Sequence, residues 1–405
     1  MADGQYGLGM TPESSVLLLC ARRRVNPSEA ARLQCLLEQQ LDWRFILYAA
    51  SRHGLLALLL SNLKGAACLD RVPASVAQKL QAAVREAAGR TLGLTGELIR
   101  ILRMFATAGL SAIPCKGPAL AMAAYGDISL RSFFDLDILV RAEDLDRARR
   151  LLAQLGYRPS LVFSARQERD YLKNECALQL RHEQQGHVVE LHWRLTERNA
   201  SVDLPVGEFW QRARRLPLAG LPVLTLCPED QILYLSVHGA KHRWERIEWI
   251  ASLAELIRAN PNLNWPAVFE AAESRRIGRL LNLSLHLAQS VLGAPLPEAA
   301  IQRLDQDPGV AALSHWVTAG LFDTSRNETH YQQRAARYWF MLRSREHWAD
   351  RFRIVTYSAI RPPHPSSPEW IDSPSRLAFL NHIFRPVRLL SEYGAVAWHY
   401  YLRTR

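Results

Sequence analysis

The chain has 405 residues, of which 48% are hydrophobic and 22% charged, and a formal net charge of +11. That length suits two or three packed sub-domains, and the composition excludes a disordered chain. Lysine occurs only at Lys64, Lys79, Lys116, Lys173 and Lys241, so the positive excess is mostly scattered arginine, which argues against a dedicated nucleic-acid surface. Cys20, Cys35, Cys68, Cys115, Cys176 and Cys227 form no C-x-x-C pair, which argues against a structural zinc site and a disulfide scaffold and fits a reducing compartment. Met1–Met10 has no signal-peptide pattern, and apolar stretches such as Gly54–Leu60 are too short to span a bilayer. The expectation is a soluble cytoplasmic protein without membrane insertion.

Residues 11 to about 108 read as helical, with apolar positions at helical spacing in Ala30–Leu41, Trp43–Ala50, Leu55–Leu63 and the long stretch Ser75–Ala108. The texture changes at Gly109. A short apolar run, Leu110–Cys115, ends at Lys116-Gly117, and a helix-like segment, Pro118–Tyr125, breaks at Gly126-Asp127. Phe133–Val140 reads as a strand and Glu143–Gly156 as a helix that stops at its glycine. Two further strands, Glu175–Arg181 and His187–Arg194, flank a hairpin turn at Glu183-Gln184-Gln185-Gly186. After Pro228 helices return: Glu229–Lys241, Glu245–Ala259, Trp265–Ser274, Arg279–Leu292, Pro297–Leu304 and Val310–Leu321. A proline-rich loop, Arg361–Pro368, and helices at Arg376–Phe384 and Val387–Tyr401 close the chain. The fold class is therefore α+β. A small mixed β-sheet core at 109–227 is flanked by an N-terminal helical region, 1–108, and a C-terminal one, 228–405.

The chemistry concentrates in that core. Asp135 and Asp137 lie two apart on a strand, so both carboxylates share one face while Leu136 and Ile138 anchor the other. Two acids held so close repel each other unless a cation intervenes, and a hard divalent ion such as Mg2+ is the usual solution. Upstream, Lys116 and Gly117 stand at a strand-to-helix turn, where a glycine backbone, free helix N–H groups and an ammonium suit a phosphate. Arg131 can add a forked phosphate contact, or pair with Asp127 as a loop arginine. In Val188–Trp193, alternation puts Val188, Glu190 and His192 on one face, which makes Glu190 the candidate third acid. His238, Lys241 and His242 share a helix face. They lack the glutamate of an H-E-x-x-H zinc motif and read instead as a polar cluster toward triphosphate or acceptor, or as a plain surface helix. Trp244, Trp249 and Trp265 read as core aromatics.

The run Lys116-Gly117-Pro118-Ala119-Leu120, then Tyr125-Gly126-Asp127, Arg131 and Asp135–Val140, resembles the signature of a bacterial nucleotidyltransferase family of the polymerase-beta-like superfamily. The resemblance continues through Gly156-Tyr157, Glu190–Arg194, His238–Trp244 and Trp249, and includes Asp42-Trp43, Arg52-His53-Gly54 and Arg385–Leu389. It implies a small sheet carrying the acids, wrapped by helices, and a two-metal transfer of a nucleoside monophosphate from an NTP such as ATP. Asp135, Asp137 and Glu190 would hold two Mg2+ ions. Lys116 and Gly117 stand where relatives carry a glycine-serine phosphate loop, and Ser252 stands where relatives often carry an acid. The acceptor, a hydroxyl or phosphate, is open, and a natural-product or polysaccharide precursor fits the family. The alternatives are a degenerate member that binds nucleotide without transfer, and an arginine-rich nucleic-acid-binding protein.

Overall fold

A computed structural model describes residues 11–198, 202–323 and 330–360. The expected proline-rich loop and the last two expected helices lie outside the described residues. The opening helices are set by their caps. Thr11 accepts a hydrogen bond from Ser14 N at the start of Pro12–Cys20, Asn26 and Glu29 form a capping box on Pro27–Leu37, and Asp42 caps Trp43–Arg52. Leu56–Gly65 follows, and then a 34-residue helix, Ala74–Thr107.

The mixed sheet contains β1 (Ala112–Pro114), β2 (Asp135–Val140), β3 (Tyr157–Pro159), β4 (Ala177–His182) and β5 (Val188–His192), in the order β1-β2-β5-β4-β3. Only β2 and β5 run parallel, and their register sets Asp135 opposite Val188 and Asp137 opposite Glu190. The side-chain period of two then sorts the sheet into two faces. Leu136, Ile138, Val189 and Leu191 pack with Leu98, Ile101 and Phe105 of the long helix and with Leu145, Ala148 and Leu152 of the helix Leu145–Gln154. Asp135, Asp137, Glu190 and His192 belong to the opposite face. On the packed side Glu97 accepts from Tyr157 Oη at 2.9 Å and from Arg100 at 2.7 and 2.8 Å.

Helices before and after the sheet share one core. Leu17, Leu59, Leu253, Leu283 and Leu313 belong to a single buried cluster, which reaches the sheet through Ile113 and Leu139. His53, fully buried, joins the two regions: its Nε2 hydrogen-bonds Leu321 O at 2.8 Å, and Ile247 N donates to its Nδ1 at 3.3 Å.

Several expected bounds move. The strand expected from Phe133 begins at Asp135, and Phe134 is exposed beside Arg90. The helix expected from Glu245 begins at Ile247, because Arg243 and Trp244 take positive φ of 55° and 53° in the preceding turn. Several elements not expected from the sequence emerge here: β3, the polar helix Ala165–Asn174, the short helix Val206–Arg212, the hairpin of β6 (Arg214–Leu218) and β7 (Leu221–Thr225), and the helices His330–Arg343 and Trp348–Ile360. None of the described helices is long and apolar enough to cross a membrane.

Candidate active site

The acid-bearing face of β2 and β5 floors a cleft of about 1060 Å³. Lys116, Gly117, Arg131, Asp135, Asp137 and Glu190 line it from the sheet side. His238, Lys241, His242 and Trp249 line it from the helices Pro228–Lys241 and Ile247–Ala259. The turn from β1 into the helix Gly117–Tyr125 is pinned on both sides: Cys115 N donates to Asp137 O at 2.9 Å, and Gln231 Nε2 donates to Cys115 O at 3.1 Å. Gly117 has φ of +55°, a left-handed conformation that favours glycine and lets the chain turn into the helix.

This pinning places Lys116 over the acids. Its Nζ lies 2.7 Å from Asp137 Oδ1. His192 Nε2 lies 3.3 Å from the same oxygen and 3.5 Å from Glu190 Oε2. The repulsion between neighbouring acids is thus relieved by two of the protein's own cations. Burial alone would raise the Asp137 pKa, but the Lys116 charge and the His192 hydrogen bond outweigh it and hold the carboxyl well below its usual range. Glu190 is likewise lowered, chiefly by its hydrogen bond to His192. His192 moves the other way: burial opposes its charge, but Asp137 and Glu190 carry it well above the ordinary imidazole value. Asp135 is left outside these contacts, and burial together with the Asp137 charge pushes it up to about 6. Asp137, Glu190 and His192 each offer a ligand atom within 4.8 Å of the others, a donor set that fits one divalent cation.

Residues 39–293 match the model of an uncharacterised nucleotidyltransferase family. The chain belongs to that family. No curated protein matches it. The matched residues run from just before the third capped helix, Trp43–Arg52, through the helix Gly278–Leu292, so they include the whole sheet and both helices of the cleft wall; the resemblance at Arg385–Leu389 lies beyond them.

The residues expected from the sequence to bind metal, phosphate or acceptor all line the cleft, though not always in the expected attitude. Arg131 is not a loop arginine paired with Asp127. Asp127 caps its own turn by accepting from Ser129 N at 2.8 Å, while the buried Arg131 directs Nε to Ser252 Oγ at 3.3 Å. Arg131 Nη1 is buried and has no hydrogen-bond partner among the described residues. Ser252 also lies 3.4 Å from Tyr125 Oη. Lys241 is committed to Glu197 at 2.7 Å. The rings of His238 and His242 lie 4.7 Å apart, and both contact Trp249, at 5.8 and 5.2 Å. Burial, reinforced by neighbouring lysines, lowers both histidines, His242 to about 4, so both are neutral. Trp249 is therefore a wall of the cleft as well as a packing residue, a correction to its reading as core, whereas Trp244 is fully buried as expected.

Sequence reasoning passed over His192, Glu197 and Glu248. His192 was visible on the Glu190 face through alternation, but nothing marked it as a partner of Asp137. Glu248 sits in the cleft wall, its carboxyl raised by burial against the pull of Arg131 and Arg246. Its place depends on Gly54, where an added Cβ would stand 1.9 Å from Glu248 Oε2.

Proposed function

We propose that the chain transfers a nucleoside monophosphate from an NTP to a hydroxyl or phosphate acceptor, in the manner of the polymerase-beta-like superfamily. The observation that carries this reading is the β2–β5 register, which sets Asp137 beside Glu190 on the cleft floor with Asp135 two residues away on the same face. Asp135 and Asp137 would hold divalent ions, read here as Mg2+ in a two-ion arrangement, with Glu190 as third ligand or base. Bound there, such ions supply charge neutralisation for the triphosphate and a lowered pKa for the acceptor hydroxyl.

The chain's own residues do the rest. Gly117 and the helix behind it would present backbone N–H groups to a phosphate, and Arg131, whose buried Nη1 has no partner among the described residues, lines the same cleft. Lys116 is shared with Asp137, and a divalent ion bound at that carboxylate would compete for it and turn its ammonium toward a phosphate. The neutral His238–His242–Trp249 wall offers flat, uncharged surface suited to a base or to an aromatic part of the acceptor.

Incubation with each α-labelled NTP and cell extract, with divalent ion present, tests the assignment. Label should pass to an acceptor, and γ-label should leave as pyrophosphate. Transfer of the γ-label instead would show a kinase, and binding without either transfer would show a degenerate member.

A further inference from the structure

We propose that His192 is itself a ligand of the active-site cation, so that the site prefers a first-row transition ion such as Mn2+ over Mg2+; this rests on the nucleotidyl-transfer reading above. The ring's orientation is fixed from behind. His192 Nδ1 lies 3.3 Å from Arg194 O, and because a carbonyl only accepts, Nδ1 carries a proton and Nε2 is the nitrogen turned to the acids. A backbone carbonyl holding one imidazole nitrogen while the other faces a cation is the usual support of a metal-bound histidine. Nε2 stands 3.3 Å from Asp137 Oδ1 and 3.5 Å from Glu190 Oε2, and the three donors lie within 4.8 Å of one another. An ion with bonds of about 2 Å reaches all three after small side-chain adjustments. It takes the place of the Nε2 proton, which passes to solvent.

Asp135 is not among those three donors, and it remains for a second ion or for a water on the first. The consequence is chemical. Mg2+ takes oxygen ligands and gives up water reluctantly, whereas an imidazole donor favours Mn2+ and later ions of the first row. A histidine that merely balanced the charge of the two acids would give no such preference.

Wild-type protein and His192→Gln are titrated with Mn2+ while free Mn2+ is followed by electron paramagnetic resonance, and Mg2+ affinity is read by competition. Bound Mn2+ in the wild type should show electron spin-echo modulation from a directly bonded nitrogen, and histidine labelled with 15N should change that modulation. This second reading uses the native chain and does not depend on the variant's folding. His192→Gln should lose the coupling and about tenfold or more in Mn2+ affinity, with Mg2+ affinity within about threefold of wild type. Bound Mn2+ without nitrogen coupling, or equal losses for both ions, would overturn the assignment and leave nucleotidyl transfer standing. No binding of either ion, with or without NTP, would overturn both.

Discussion

At the scale of single residues, the two aspartates of β2 have opposite stability consequences despite their shared motif. Asp137 is almost completely buried and compensates both Lys116 and His192. Asp137→Asn leaves Lys116 buried without its partner and His192 with Glu190 alone, and should destabilise the metal-free protein by about 3 kcal/mol. Asp135 carries an unfavourable charge that burial and Asp137 impose. Asp135→Asn should therefore leave the urea midpoint unchanged or raise it. Comparison of the two variants in chelator checks this, and equal destabilisation would show that the Lys116–Asp137 pair contributes little. Lys116 invites a paired test. Lys116→Gln should bind divalent ion more tightly without nucleotide, since a competing ammonium is gone from Asp137, yet bind NTP about tenfold more weakly when metal is present. Calorimetric titrations with and without metal would read both effects, and a loss of NTP affinity equal in the two conditions would place Lys116 on the phosphate from the start. The acids and their facing were legible from alternation alone, because a period of two leaves no choice of side. Their partners were not, since Lys116, Asp137 and His192 meet only through the β1–β2 and β2–β5 pairings.

At the scale of elements, the cleft wall depends on how the helix Pro228–Lys241 ends. Trp244, fully buried, folds back on Gly239, where an added Cβ would stand 2.4 Å from the indole ring. Gly239→Ala should cost about 3 kcal/mol through overpacking and should shift Trp fluorescence, because the side chain that must move is the indole itself. The same turn carries His238, His242 and the start of the helix bearing Trp249, so substrate affinity should fall with it. A variant with wild-type stability would mean that the turn is loosely packed. Long periodic helices and the strand with the two aspartates were readable from sequence. The helix Ala165–Asn174 was missed because it buries none of its residues completely and so shows little apolar stripe, and β3 because a three-residue strand has no period to detect. The glycine in the family-like stretch His238–Trp244 was visible, but its reason, contact with an indole five residues on, needed the fold.

At the scale of the whole molecule, the sheet is held between helical regions that share one core, and His53 is a buried tie between them. Burial lowers its pKa to about 4, against about 6.5 in the unfolded chain. Above pH 6.5 both states are neutral there. As pH falls from 6.5 toward 4 the unfolded chain takes up a proton that the folded one does not, so stability is lost across that window by roughly 2–3 kcal/mol. His53→Gln should flatten this part of the stability–pH curve by about one proton, and an unchanged slope would assign the acid sensitivity to other groups. The layering of helix, sheet and helix followed from texture changes at Gly109 and Pro228, whereas the sharing of a core between the first and last layers could not, because contacts so distant in sequence leave no local pattern. The proposed function rests on the floor of acids formed by Asp135, Asp137 and Glu190. Pyrophosphate release by wild type and Glu190→Gln, under conditions where both bind NTP, tests that claim most directly. The wild type should release pyrophosphate and the variant should lose on the order of a hundredfold or more, with NTP affinity largely kept. Release from Glu190→Gln within tenfold of wild type would contradict it.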